Sequence, residues 1–127
     1  MVSLRVLVVE DNPVNLELIT EVLMQEGYQV LTAQSAEAGL RLAVAGRPDL
    51  ILMDMQLPGM TGYEVTHRLK ANPATAAIPV IALTAYAMRG DELRAREAGC
   101  DAYLTKPLDL RAFRDTLRRL FPLGAAR

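Results

Sequence analysis

Short continuous apolar runs alternate along this chain with longer segments in which apolar residues recur at helical spacing. The first run, from Val6 to Val9, contains no polar residue, which is typical of a strand that is buried on both faces. In the segment that follows, Leu16, Ile19 and Leu23 recur at the spacing of one helix face. The pattern predicts a strand that leads directly into an amphipathic helix.

Boundary residues support this first strand–helix unit. Asn12 is a good N-cap because its side-chain oxygen can accept a hydrogen bond from an unpaired backbone N–H of the first turn. Pro13 suits the first helical position, where no backbone N–H is needed. Gly27 can end the helix because it tolerates a left-handed conformation. We therefore predict a helix between Asn12 and Gly27.

The same alternation recurs along the rest of the chain. The predicted strands cover residues 28–33, 49–53, 79–83 and 102–105. The predicted helices run from the cap Ser35 to Ala45 with Gly46 as the stop, over 63–71, over 91–98, and onward from the cap Asp109. Together with the first unit they make five consecutive strand–helix units. Such a series predicts an α/β fold with a parallel sheet and helices on both of its faces.

Length and composition narrow the class of protein. The 127 residues suit one domain, which we expect to cover residues 1–121 and to leave 122–127 as a short tail. A single Cys excludes an internal disulfide and any multi-Cys metal site. The net charge of -1 argues against a nucleic-acid binder, and no segment is typical of a membrane helix or a signal peptide. We expect a cytoplasmic protein that binds neither nucleic acid nor membrane.

Polar residues at the ends of the predicted strands carry the candidate chemistry. Glu10 and Asp11 follow the first strand, and Asp54 follows the third. Thr84 follows the fourth strand, and Lys106 follows the fifth. Ligands of doubly wound sheets bind outside the carboxyl ends of the strands. The sequence therefore predicts one site that combines carboxylates, a hydroxyl and an amine.

This combination of groups is suited to phosphoryl transfer. Clustered carboxylates repel one another, and a divalent cation relieves the repulsion. A site made of oxygen ligands that keeps several waters suits Mg²⁺. Lys106 can pair with an anion at Asp54. Asp54 can then attack phosphorus as a nucleophile, while Mg²⁺, Lys106 and Thr84 neutralise the oxygens of the transferring group.

The joint spacing of several segments resembles the receiver domain of bacterial response regulators. These segments are VLVVEDN at 6–12, LMDMQLPGMTG at 52–62, Thr84-Ala85, and TKP at 105–107. A further segment, GDELRAREAGCDAYLTKP at 90–107, is similar to the DivK group of single-domain response regulators. The resemblance implies a flavodoxin-like (CheY-like) doubly wound sandwich with the strand order 2-1-3-4-5. It also implies a signalling protein that takes a phosphoryl group from a histidine kinase phosphohistidine onto Asp54.

The same resemblance implies a set of ligands for Mg²⁺. Asp11, Asp54 and the backbone carbonyl of Gln56 would hold the ion, and Glu10 would act through the water shell of the ion. Glu10 stands where the family commonly has Asp, a change of one methylene group that could loosen the geometry of the metal site without abolishing it.

A conformational switch is also implied by the resemblance. The Thr84 hydroxyl would turn toward the phosphoryl group, and the aromatic ring of Tyr103 would move inward to fill the space. Gln56 and Tyr86 would flank the path of the hydrolytic water. Because both of these side chains are sizeable, we expect a long-lived phosphoryl group.

Partner contacts are expected on the first helix and after the last strand. Val14 and Leu18 form an i, i+4 pair that either widens the core stripe or, together with Pro107, docks a kinase. The Lys106–Pro107 bond would be cis by resemblance, whereas the residues alone favour trans. The implied partners are a histidine kinase or a histidine phosphotransfer protein and a downstream protein target. We expect a monomer or a weak dimer.

Other functions are weighed against this one. A phosphohydrolase of the haloacid-dehalogenase type needs a second Asp two residues after the nucleophile, where this chain has Gln56. A flavin carrier needs a phosphate-cradling loop after the first strand, where this chain has Glu10-Asp11-Asn12. A scaffold receiver and the receiver of a hybrid histidine kinase both stay open. The start at Met1 and the short tail favour a free-standing protein. The resemblance implies a signalling protein that catalyses its own phosphorylation and dephosphorylation and does not turn over small molecules.

Overall fold

The computed structural model describes residues 4–85 and 90–121 of the chain. Its strands are β1 (Arg5–Val9), β2 (Gln29–Ala33), β3 (Leu50–Asp54), β4 (Val80–Thr84) and β5 (Ala102–Thr105). All neighbouring strands pair in parallel, and their order in the single sheet is β2-β1-β3-β4-β5. The predicted α/β class and the strand order implied by the resemblance are both confirmed.

Helices cover both faces of this sheet. They are α1 (Pro13–Gln25), α2 (Ala36–Gly46), α3 (Gly62–Ala71), α4 (Asp91–Ala98) and α5 (Leu110–Leu120). Helices α1 and α5 pack on one face, where Leu23 and Phe113 are fully buried. Helices α2, α3 and α4 pack on the other face, through Val65, Leu69 and Ala95 among others. No helix within the described residues is long and apolar enough to cross a membrane.

Side-chain caps begin the helices where the sequence predicts them. The Asn12 side chain accepts hydrogen bonds from the N–H groups of Val14 and Asn15 at the start of α1. The Asp109 carboxylate accepts one from the N–H of Arg111 at the start of α5. Each cap satisfies N–H groups that have no partner within the helix. Helix α1, which follows β1, and helix α5, which follows β5, therefore begin at the positions that the sequence predicts.

The end of α2 differs from the prediction. Gly46 is the last helical residue rather than the stop, and the next residue, Arg47, takes a left-handed φ of 45°. A Cβ at Gly46 would lie 2.6 Å from Cδ1 of Leu31 on β2. The glycine therefore allows close packing of α2 on the sheet instead of forming the left-handed turn.

Strand bounds also shift slightly from the prediction, and the shift matters for the site. Strand β3 runs to Asp54 and strand β4 runs to Thr84, so both residues lie inside the sheet rather than after it. Every residue of β3 and β4 is buried. The Asp54 backbone pairs in register with Leu83 of β4. The ladder of the two central strands therefore holds both functional candidates.

Helix α4 is the least anchored of the five helices. It buries a single residue, Ala95, whereas each of the others buries at least three residues. The Arg94 guanidinium lies 4.2 Å from the centre of the Tyr63 ring on α3, a cation–π contact between the two helices. Helix α4 is thus held largely through its neighbour α3.

Candidate functional site

Side chains from three strands meet at the carboxyl edge of the sheet. The Lys106 ammonium after β5 lies 2.7 Å from Oε1 of Glu10 after β1 and 3.3 Å from Oδ1 of Asp54 on β3. Glu10 is 1% exposed and Asp54 is 2% exposed. The structure therefore brings these predicted residues together as a buried group of one cation between two carboxylates.

The pairing of Lys106 differs in detail from the sequence analysis, which paired it with Asp54. Its shorter contact is with Glu10, whose longer side chain reaches farther across the edge than the Asp common at that position. The second oxygen of Glu10 accepts a hydrogen bond from the N–H of Asn12 at 3.1 Å. The Lys106–Pro107 bond is cis, as the resemblance implied, so the trans form favoured by the residues alone is wrong.

These contacts shift the pKa values of Asp54 and Lys106. Burial raises the pKa of the Asp54 carboxyl, and this effect exceeds the lowering by the backbone hydrogen bond from Gln56. The neighbouring Glu10 raises the pKa of Asp54 further, while Lys106 lowers it. Burial alone lowers the pKa of the Lys106 ammonium, but the hydrogen bond to Glu10 and the charge of Asp54 outweigh it and raise that pKa.

The carboxylates form a set of oxygen ligands. Glu10, Asp11 and Asp54 each offer one carboxylate oxygen, and these oxygens lie within 4.8 Å of one another. Asp11 is partly exposed, while Glu10 and Asp54 are buried. Hard oxygen donors at this spacing suit Mg²⁺, which binds few protein carboxylates and keeps part of its water shell.

Asp54 and the end of β4 are joined by the side chain and the backbone of Gln56. The Gln56 N–H donates to Oδ1 of Asp54 at 3.0 Å, and its Nε2 donates to Oγ1 of the fully buried Thr84 at 3.0 Å. The N–H of Ala85 donates to Oε1 of Gln56 at 3.4 Å. Sequence reasoning used only the backbone carbonyl and the size of Gln56. No sequence signal marks the side-chain contacts, because the partners lie 28 and 29 residues apart.

The predicted switch residues lie on adjacent strands. Tyr103 is partly buried on β5 in register with Ala82, and it packs against the core on the side of α2, α3 and α4. Burial raises the pKa of the Tyr103 phenol, and the Asp91 carboxylate of α4 raises it further. Tyr86, which the sequence analysis placed beside the path of the hydrolytic water, lies outside the described residues.

The predicted docking residues lie on the α1 side of the sheet, opposite to the side on which Tyr103 packs. Val14 is 64% exposed and Leu18 is 58% exposed on α1. Leu18 and Pro107 line one mostly apolar cleft of about 160 Å³, which also includes Val22 and Leu108. Val14 lies one turn before Leu18 and outside the lining of the cleft. The structure therefore brings two of the three predicted docking residues into one surface.

Comparison with known proteins gives the family of the chain. Residues 6–118 match the response regulator receiver domain family. The polar-differentiation response regulator DivK of Brucella anthropi is 45% identical over 113 residues, which cover 89% of this chain and 92% of that protein. DivK of Brucella ovis matches to the same extent.

Solved structures agree with this match. The receiver domain of the sensor histidine kinase PA1611 from Pseudomonas aeruginosa superimposes with a TM-score of 0.84 at 37% identity, over 93% of this chain and 97% of that one. That structure holds a magnesium ion in its active-site cleft. The chemotaxis protein CheY4 of Vibrio cholerae superimposes with a TM-score of 0.85 at 26% identity, over 93% and 98% of the two chains. The chain therefore belongs to the response regulator receiver domain family and is a CheY-like protein of two-component signalling.

Proposed function

We propose that this protein accepts a phosphoryl group on Asp54 from the phosphohistidine of a histidine kinase or a histidine phosphotransfer protein. The phosphorylated form then binds a downstream protein with altered affinity. The observation that carries the proposal is the buried Asp54 carboxylate at the sheet edge, with the Lys106 ammonium 3.3 Å away and two further carboxylates beside it. The DivK relatives, which are response regulators by name, support the same role.

The reaction joins the Asp54 carboxylate to phosphorus. One carboxylate oxygen attacks the phosphorus atom, the bond between phosphorus and the imidazole nitrogen of the donor breaks, and the electron pair of that bond stays on the nitrogen. The product is an acyl phosphate on Asp54. The Lys106 ammonium would pair with the phosphoryl oxygens, and the Thr84 hydroxyl would donate to one of them.

Oxygen atoms of this chain would hold Mg²⁺ for this reaction. Asp11, Asp54 and the backbone carbonyl of Gln56 would bind the ion directly, and Glu10 would bind through its water shell. Bound Mg²⁺ neutralises the negative charge that otherwise repels a phosphate from a group of carboxylates. The cluster of carboxylate oxygens within 4.8 Å supports this assignment.

Incubation with acetyl phosphate and Mg²⁺ tests the acceptor. We expect the wild-type protein to gain the mass of one phosphoryl group in an intact-mass measurement and Asp54→Asn to gain none. Asp49→Asn is the matched control, because Asp49 lies at the opposite end of β3, where its carboxylate accepts the N–H of Arg5. A wild-type protein without mass gain, or a gain in Asp54→Asn equal to that of the wild type, would falsify the proposal.

Docking of the donor protein is assigned to Val14, Leu18 and the cleft beside Pro107. Charged side chains at both α1 positions should slow transfer from a phosphorylated kinase and leave transfer from acetyl phosphate unchanged. The kinase is the one that, within a panel of purified histidine kinases, phosphorylates the wild-type protein fastest. Met24→Asp is the matched control, because Met24 is 60% exposed on the same helix but lies near its other end. Equal transfer rates in Val14→Asp/Leu18→Asp and Met24→Asp contradict this docking site.

A further inference from the structure

Gln56 connects the phosphoacceptor strand to the end of the neighbouring strand. Its carboxamide donates through Nε2 to the Thr84 hydroxyl and accepts through Oε1 from the Ala85 N–H. Its own N–H is bonded to Asp54. The proposed metal site uses only the backbone carbonyl of this residue. The two side-chain contacts therefore have no role in the function described so far.

These contacts hold the last residue of β4 and the residue after it, next to the β4 residue that pairs with Asp54. A phosphorylated Asp54 brings several strong acceptor oxygens and nearly two negative charges to this edge. The Ala85 N–H has one hydrogen, so a phosphoryl oxygen can accept it only after Oε1 of Gln56 has left. Thr84 is fully buried, and the carboxamide of Gln56, a residue that is itself exposed, donates to the Thr84 hydroxyl oxygen.

We propose that the Gln56 carboxamide is a positioning residue that holds Thr84 and Ala85 in the resting arrangement and is released when Asp54 is phosphorylated. The proposal rests on Asp54 being the phosphoacceptor. The carboxamide oxygen competes with the phosphoryl group for the Ala85 N–H, and the carboxamide nitrogen donates to the Thr84 hydroxyl oxygen in its resting position. The resting state is therefore favoured by contacts that the active state lacks. Two hydrogen bonds of ordinary net strength change the ratio of the resting to the active form about tenfold.

Substitution of Gln56 separates its hydrogen bonds from its bulk. Gln56→Met keeps a side chain of similar length and loses both hydrogen bonds, whereas Gln56→Ala loses the bulk as well. We expect both variants to bind beryllofluoride, a phosphoryl mimic that is not hydrolysed, about three- to tenfold more tightly than the wild type in an NMR titration with Mg²⁺. Gln25→Met is the control, because Gln25 is exposed at the far end of α1.

Hydrogen exchange of the Ala85 amide provides a measurement that does not depend on phosphorylation. In the ligand-free protein we expect this amide to exchange several-fold faster in Gln56→Met than in the wild type, because its acceptor is gone. Unchanged exchange overturns the proposal. Faster exchange with unchanged beryllofluoride affinity also overturns it, because the contact then exists without opposing activation.

The beryllofluoride titration separates the effect of side-chain bulk from that of hydrogen bonding. It also separates failure of the phosphoacceptor function from failure of the role of Gln56. Tighter binding in Gln56→Ala alone assigns the effect to side-chain bulk and overturns the proposal. A wild-type protein that binds no beryllofluoride and gains no phosphoryl mass refutes the phosphoacceptor function itself, and the role of Gln56 in activation falls with it. A wild-type protein that binds with the same affinity as both variants refutes only the role of Gln56.

Discussion

A single methyl group at Gly62, the first residue of α3, tests the geometry around the phosphoacceptor strand. A Cβ at Gly62 would overlap the backbone oxygen of Asp54 and would lie 2.7 Å from Cα of Met55. These are backbone atoms of the last residue of β3 and of the residue after it, and they cannot rotate out of the way. Gly62→Ala therefore has to move the start of α3 away from Asp54 or displace Asp54 itself.

The expected cost follows from these contacts. Overpacking costs about 1–3 kcal/mol, and backbone contacts this short favour the upper end. The higher helix propensity of Ala offsets at most about 1 kcal/mol. We therefore expect Gly62→Ala to lower the free energy of unfolding by about 2 kcal/mol, which corresponds to a decrease of about 6–10 °C in Tm for a chain of this length.

Gly46→Ala is the matched control for this prediction. A Cβ at Gly46 would meet only Cδ1 of Leu31, the far end of a flexible side chain, at 2.6 Å. Because that methyl group can move and Ala favours the helix, we expect a change within about 1 kcal/mol. Urea unfolding followed by circular dichroism measures both variants. Equal urea midpoints for Gly62→Ala and the wild type, or an equal loss in both variants, would refute the reasoning.

Further predictions concern the stability and reactivity of the rest of the fold. Lys70→Met should lower the free energy of unfolding, measured by urea unfolding, by about 2 kcal/mol, because the ammonium donates to the carbonyls of Ala76 and Ile78 and to the carboxylate of Asp101. Asp109→Ala should cost about 1 kcal/mol through loss of the α5 cap. Burial raises the pKa of the Cys100 thiol to about 11, so an aromatic disulfide reagent should label it at least about 100-fold more slowly in the native than in the urea-unfolded protein. Between the ordinary thiol pKa and about 11 the unfolded chain loses this proton first, so stability should fall as pH rises, and less steeply in Cys100→Ala.

Each of these predictions has its own contrast. Arg68→Met removes an exposed ion pair with Glu64 and should change stability by less than about 1 kcal/mol. A loss in Lys70→Met no larger than that in Arg68→Met contradicts the stabilising role of the part-buried contacts of Lys70. Asp109→Asn keeps the cap and should retain wild-type stability. Fast labelling of native Cys100 contradicts its burial.

Hydrophobic patterning predicts the sheet well for a physical reason. Helices cover both of its faces, so the central strands have no polar side to interrupt the apolar run, as in Val6 to Val9. The residues at the strand ends were found because parallel strands bring their carboxyl ends to one edge. This is why Glu10, Asp54 and Lys106 could be grouped although they lie far apart in the chain.

Side-chain pairing within the site could not be predicted in the same way. Whether Lys106 lies closer to Glu10 or to Asp54 depends on side-chain length and rotamer. The contact of Gln56 with Thr84 depends on the path of the loop after β3 relative to the end of β4. The end of α2 was misplaced because a glycine can serve either a left-handed turn or close packing. At Gly46 the second use holds, and the neighbouring residue accepts the strained conformation.

The small buried surface of α4 affects how a change at the carboxyl edge of the sheet reaches the rest of the molecule. Helix α4 buries one alanine and contacts α3 through the guanidinium of Arg94 on the Tyr63 ring. A shift of this helix therefore costs little buried apolar surface. The helix begins just past the segment that follows Thr84, and the Asp91 carboxylate at its first turn is close enough to influence Tyr103. A small rearrangement at the sheet edge therefore has few buried contacts to break on the α4 side, and we expect α4 to shift more readily than the other described helices.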